Sequence, residues 1–189
     1  MKELEESIAV ALESRAAISR KLVRAWIQQA DGVEIDALLY RFTKEAWDRV
    51  EPRLELKETC ALIQRYFFRC IREDPQDGAA LSRYDAAGRL ETWFDHLAGM
   101  NEAREIVQSL VDSVAELFLS SDDETRRAIE TGFLEHVLEQ RALRHYFAHW
   151  AHDERLQDAW RHALAWGEAH PNLMKGLRAQ LRAVQGDDE

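Results

Sequence analysis

The segment RHYFAHWAHDER places His145, His149, His152 and Asp153 within one short stretch of chain. On an unbroken α-helix the spacings i, i+4 and i+7 or i+8 bring these side chains to one face, within reach of a shared cation. Imidazole nitrogens and a carboxylate suit zinc or iron, and a centre with an open position activates water. The chemistry would be metal-dependent hydrolysis or oxygen handling, with His145, His149 and Asp153 as ligands. The intervening residues argue otherwise. Tyr146, Phe147 and Trp150 interleave with the histidines, giving an aromatic face that packs inward with imidazoles along its edge. Asp153 suits a cap for the helix that follows. Di-iron and di-manganese bundles use Glu-x-x-His on two helices, and no histidine here has a glutamate three residues before it.

The pair His152-Asp153 resembles the dipeptide of the HD phosphohydrolases, an all-α family. The resemblance covers two residues. That family needs an earlier His and a later Asp on other helices, and after Asp153 come only Asp158 and the acids of the tail. The chain also carries no Gly-rich phosphate loop, H-E-x-x-H, C-x-x-C or G-x-S-x-G motif. No metal, cofactor or catalytic residue is assigned.

A second pattern is electrostatic. The helix expected from Asn101 to about Leu119 has an apolar face of Ala103, Ile106, Val107, Leu110, Val111, Val114, Leu117 and Phe118. Opposite lie Glu102, Glu105, Asp112 and Glu116, with Ser109 between them and Arg104 at the margin. At about 100° per residue the four acids fall within roughly 80° of one another. Asp122, Asp123 and Glu124 follow directly, so residues 101–150 hold ten acids against five bases. Stacked like charges destabilise a helix by about a few tenths of a kcal/mol per pair. A solvated face is one explanation; a ridge that meets a basic partner is the other.

Elements of ordinary helical patterning position these groups. Apolar spacing is 3,4 nearly throughout, with only three prolines and eight glycines. One long helix is expected over 3–29, ended by Asp31-Gly32. A second spans about Ile35 to Val50 and stops at Pro52. A third, about Leu56 to Arg72, carries Cys60, Ile63, Phe67, Cys70 and Ile71 on one face and apolar residues beside it, marking the centre of the core. The loop at 73–82 precedes a helix from about Arg83 to Leu97. Asn101 reads as the N-cap of the next helix, and Ser121 to Glu124 as a capping box. Asp153 opens a helix through Trp166, and Pro171 sits in the first turn of a last helix through Leu181. The tail Gly186 to Glu189 is expected to fray. The expectation is an all-α compact bundle of about eight to nine helices in a single domain, 1–189, with front and back sub-bundles divided at 73–82 as the variant.

Cys60 and Cys70 stand ten residues apart on one helix, about 15 Å along its axis, too far to pair with each other. Buried thiols follow. Six tryptophans occupy helical apolar positions; Trp160 and Trp166, six apart, cannot fully share a face, which leaves one as a candidate contact residue.

The length of 189 residues is ample for a core, and 35 acids against 25 bases leave a formal net charge of -10. That balance argues against nucleic acid or an anionic membrane as the main partner. No apolar run approaches the length of a membrane helix, and the acids of MKELEESIAVALESR stand where a secretory leader needs bases, so a cytoplasmic location is expected. The expected function is a non-catalytic acidic helical module engaging a protein with a basic surface through Glu102, Glu105, Asp112, Glu116, Asp122 and Asp123. In size, acidity and helix content the chain is similar to bacterial immunity proteins and antitoxins, which use negative charge to block a basic toxin. The alternatives are the metal-dependent enzyme above and a regulatory or dimerisation module built on the first helix, where Glu3, Glu6, Glu13, Arg20 and Arg24 give little heptad signal.

Overall fold

The computed structural model describes residues 2–76, 78, 80–174, 176 and 177. The fold is all-α. Nine α-helices run through the described residues: α1 Lys2–Glu13, α2 Arg20–Gln29, α3 Val33–Glu45, α4 Leu56–Glu73, α5 Arg83–Ala98, α6 Arg104–Leu119, α7 Asp123–Ile129, α8 Glu135–Glu139 and α9 Gln157–Ala169. Two two-residue strands, β1 Ile18–Ser19 and β2 Val50–Glu51, pair in parallel with Ile18 opposite Val50. The chain packs as two compact units, Met1–Ala86 and Ala87–Glu189.

In the first unit the expected helix over 3–29 is two helices. The chain leaves α1 after Glu13, and the Ser14 hydroxyl accepts the Ala16 N–H. The guanidinium of Arg49 caps the break, donating to the carbonyls of Ala11 (2.9 Å), Leu12 and Ser14. These are the last-turn oxygens that a helix leaves without internal partners. An arginine from elsewhere in the chain therefore stabilises a break that local periodicity conceals. The same excursion truncates the second expected helix: α3 stops at Glu45, a 3₁₀ turn Trp47–Arg49 follows, and Val50 joins β2. Ile8, Val23, Trp26, Ile35, Leu39 and Phe42 form the core here, with Trp26 edge-on to Phe42 at 5.6 Å.

The helix expected at 56–72 is α4, which buries Cys60, Leu62, Ile63, Tyr66, Phe67, Cys70 and Ile71. Both cysteines are unpaired, as their spacing along the helix requires, and both are buried, as free cysteines commonly are. The helix ends at Asp74, in the left-handed region, whose carboxylate accepts the Arg83 N–H at 2.9 Å.

In the second unit α6 buries an equal row of seven, including Val107, Leu110, Val114 and Phe118. Its start differs from expectation. Asn101 belongs to a 3₁₀ turn, Asn101–Ala103, and caps nothing with its side chain; α6 begins at Arg104. The capping box at Ser121 is also displaced by one residue. Asp122 is the N-cap, accepting the Thr125 N–H at 2.8 Å, while the Ser121 hydroxyl donates back to Leu117 O at 2.6 Å. At this position the Asp122 carboxylate also meets the positive end of the helix dipole.

Residues 123–139 stay helical, but Glu130–Leu134 is a π-helical stretch in which the Glu135 N–H reaches Glu130 O five residues back. Thr131 and Gly132, poor helix formers, sit inside it. α9 packs against α8 so closely that Gly167 faces the backbone of Leu138 and Glu139. Pro171 lies in a turn ahead of the terminal helical residues 173, 174, 176 and 177, with Asn172 left-handed beside it (φ 59°). Leu181 and the tail Gly186 to Glu189 lie outside the described residues. No helix among the described residues is long and apolar enough to cross a membrane.

Candidate functional site

The histidine segment does not form the α-helix that a shared metal face needs. Arg141–His152 is a twelve-residue 3₁₀ helix. At about three residues per turn, His149 and His152 align, whereas His145 is turned about 120° from both. A 3₁₀ path brings every third side chain to one face, so the buried Phe147 and Trp150 align, and Leu143, also buried, lies a third of a turn round from them. Phe147 and Trp150 join Phe94, Phe133 and Phe118 in an aromatic cluster with centroids 5.6–6.0 Å apart. The expected inward aromatic face is therefore present, with His145, His149 and His152 exposed around it. His145 Nδ1 lies 2.7 Å from Ala142 O. Asp153 takes the Arg155 backbone N–H at 2.9 Å and its guanidinium at 2.9 and 3.2 Å. Those hydrogen bonds hold its carboxyl below the usual range. Among the described residues no group of three or more His, Cys, Asp and Glu side chains is arranged to hold a metal ion.

The acidic row is only partly one surface. Glu105, Asp112 and Glu116 stay on a single exposed stripe of α6, within about 40° of one another at 100° per residue. The carboxylates of Glu105 and Glu116 make no hydrogen bond or ion pair with another described residue, and that of Asp112 accepts only the neutral Gln108 amide at 3.1 Å. Arg104, the one base of α6, lies about 100° round the helix from Glu105. Glu102 is exposed but sits in the 3₁₀ turn, out of the α-helical register. Asp122 is engaged as the α7 cap, and Asp123 lies 3.9 Å from Arg126. The structure thus keeps three of the six expected contact acids as an unneutralised stripe and gives Asp122 and Asp123 local work.

Two buried polar clusters were not singled out by sequence reasoning. Asp36 is fully buried, with Arg65 at 2.6 Å and Arg69 at 2.9 Å on its two oxygens. Arg65 also donates to Ile27 O at 3.0 Å, so its guanidinium links α2 to the Asp36 carboxylate of α3. Burial pushes the Asp36 carboxyl upward, against the pull of the two guanidiniums. The available signal was an acid on the apolar face of one helix and arginines spaced i, i+4 on another. The second cluster centres on Glu139, buried beneath α9, which lies 2.7 Å from His136 Nδ1 and accepts the Met174 N–H at 2.8 Å. Trp166 meets the His136 ring edge-on at 5.0 Å, and burial pushes the adjacent Glu135 upward. Its signal was His-x-x-Glu, the reverse of the spacing associated with metal bundles. Trp160 and Trp166 are both half-buried, so neither is the exposed contact tryptophan that their spacing suggested.

Fold and site together define an all-α protein with a charged helix face and two buried polar clusters. Comparison with protein-family models, curated proteins and solved structures finds no match.

Proposed function

We propose that the protein is a non-catalytic binding module whose α6 stripe engages a basic surface on a partner protein. The observation that carries this reading is the stripe itself: Glu105, Asp112 and Glu116 are exposed, aligned and without a cationic partner among the described residues. Other acids of the chain do find guanidiniums, as in Arg24–Glu58 at 2.7 Å, Arg41–Glu45 at 2.7 Å and Arg155–Asp153 at 2.9 Å. A same-sign row raises the local concentration of opposite charge and speeds encounter more than it deepens affinity. Behind it, the seven buried residues of α6 hold the helix rigid, so the charges keep their spacing. An antitoxin- or immunity-like role is one form of this function.

The test is the triple variant E105K/D112K/E116K in a pull-down from the native host, followed by association kinetics with the captured protein. The association rate is expected to fall at least about tenfold at low salt, and its dependence on ionic strength to flatten. Unchanged rates with all three charges reversed refute the proposal.

A further inference from the structure

A groove of about 490 Å³ runs between α1 and α2 in the first unit, closed at one end by residues 14–19. Five large apolar side chains are exposed among the described residues, and two of them, Val10 (60%) and Leu22 (45%), line this groove from opposite helices. Buried Trp26 also lines it, its indole fixed by a 3.2 Å hydrogen bond from Nε1 to Ser7 Oγ. Apart from two glutamates and Ile18, the remaining lining is small, alanine and serine, which leaves Val10 and Leu22 largely uncovered.

The charge of the groove is one-sided. Glu3 and Glu6 are its charged lining residues, and with Val10 they form an i, i+3, i+7 edge along α1. None of the three bases of α2 lines the groove: Arg20 donates to Arg53 O, Arg24 is held in a two-bond fork by Glu58, and Lys21 lies outside the lining. An anionic lipid surface is repelled by such a rim. α1 has twelve residues, about 18 Å, or three helical turns. A helix laid in a groove presents anchors at i, i+3 or i+4 and i+7 over that length.

We infer that the α1–α2 groove docks an amphipathic helix of a partner protein, its apolar face over Val10, Leu22 and Trp26 and its Lys/Arg edge against Glu3 and Glu6. This surface is separate from the α6 stripe and does not depend on it.

The test is an NMR titration of the full chain with a designed fourteen-residue amphipathic helix carrying leucines at i, i+3, i+4 and i+7 and lysines on one flank. A scrambled peptide and a Lys→Glu peptide serve as controls. Saturable shifts are expected at Val10, Ala16, Leu22 and the Trp26 indole, with the controls inert. V10E/L22E, at exposed positions and so with an unchanged melting curve, is expected to weaken binding about tenfold. E3Q/E6Q is expected to weaken it about threefold at low ionic strength, and E105K/D112K/E116K to leave it unchanged. Equal binding of either control, or shifts that map elsewhere, overturns the inference. So does sedimentation showing a dimer that V10E/L22E dissolves, which would give the groove to a second copy.

Discussion

Two glycines of the second unit offer the same substitution with opposite expected signs. A Cβ at Gly167 would lie 2.7 Å from both C and O of Leu138 and 2.8 Å from Glu139 N. All three atoms are backbone, so no side-chain rotation relieves the contact and α9 must move away from α8. Overpacking of this kind costs about 1–3 kcal/mol, and a rigid obstacle puts the cost near the upper end. Replacing glycine by alanine inside a helix returns about 1 kcal/mol. G167A is therefore expected to destabilise the protein by about 2 kcal/mol. Gly88, inside α5, has nothing within 4 Å of its would-be Cβ, and G88A is expected to stabilise by about 0.5–1 kcal/mol. Urea unfolding followed by far-UV circular dichroism reads both, with the slope held common to all three proteins. The reasoning is refuted if G167A matches or exceeds the stability of the unaltered chain, because α8 and α9 would then not be in backbone contact.

D36A, which strands Arg65 and Arg69, is expected to cost about 3–5 kcal/mol in urea unfolding, and D36A/R65M/R69M to recover most of that loss. A small loss from D36A alone would contradict the burial of the cluster. D122A is expected to lower stability by about 1 kcal/mol and S121A by much less, the reverse of what a serine cap predicts. At alkaline pH, burial pushes the Cys60 thiol up to about 11 and Tyr66 and Cys70 also upward. The folded chain then keeps protons that the unfolded chain releases, so stability falls as pH rises past about 9 for the two thiols and about 10 for Tyr66, by up to about 1.4 kcal/mol per pH unit for each group. C60A/C70A should flatten that alkaline slope in melts between pH 8 and 10.5, after comparison with the parent at pH 7; an unaltered slope would place the thiols in water.

Helix content and most of the buried rows were legible in the sequence because 3,4 spacing is a local signal. α4 and α5 fall within a residue or two of expectation, and the unpaired state of the cysteines follows from their separation along one helix. What escaped was set by partners distant in sequence. The break after α1 depends on Arg49, thirty-five residues beyond Ser14, and the apolar register across Ile18 and Leu22 gives no sign of it. The 3₁₀ winding of 141–152 is equally hidden, since Leu143, Phe147 and Trp150 at i, i+4 and i+7 read as an ordinary α-helical face. For the candidate site, the stripe Glu105, Asp112 and Glu116 was readable because α6 is regular there. Glu102 and Asp122 were misplaced because helix ends are decided by competing caps rather than by periodicity. The α1–α2 groove could not be read at all, since it exists only once the first helix is broken into two.

The most direct test of the binding role places a photo-crosslinking residue, p-benzoylphenylalanine, at Ser109, which is exposed in the middle of the α6 stripe, in cells of the native host. A second protein carries it at exposed Lys57 of α4 as the reference. The account predicts one dominant adduct from position 109, to a protein with a basic surface, absent from position 57 and lost in the E105K/D112K/E116K background. No adduct from position 109, or one that survives the charge reversal, would contradict it.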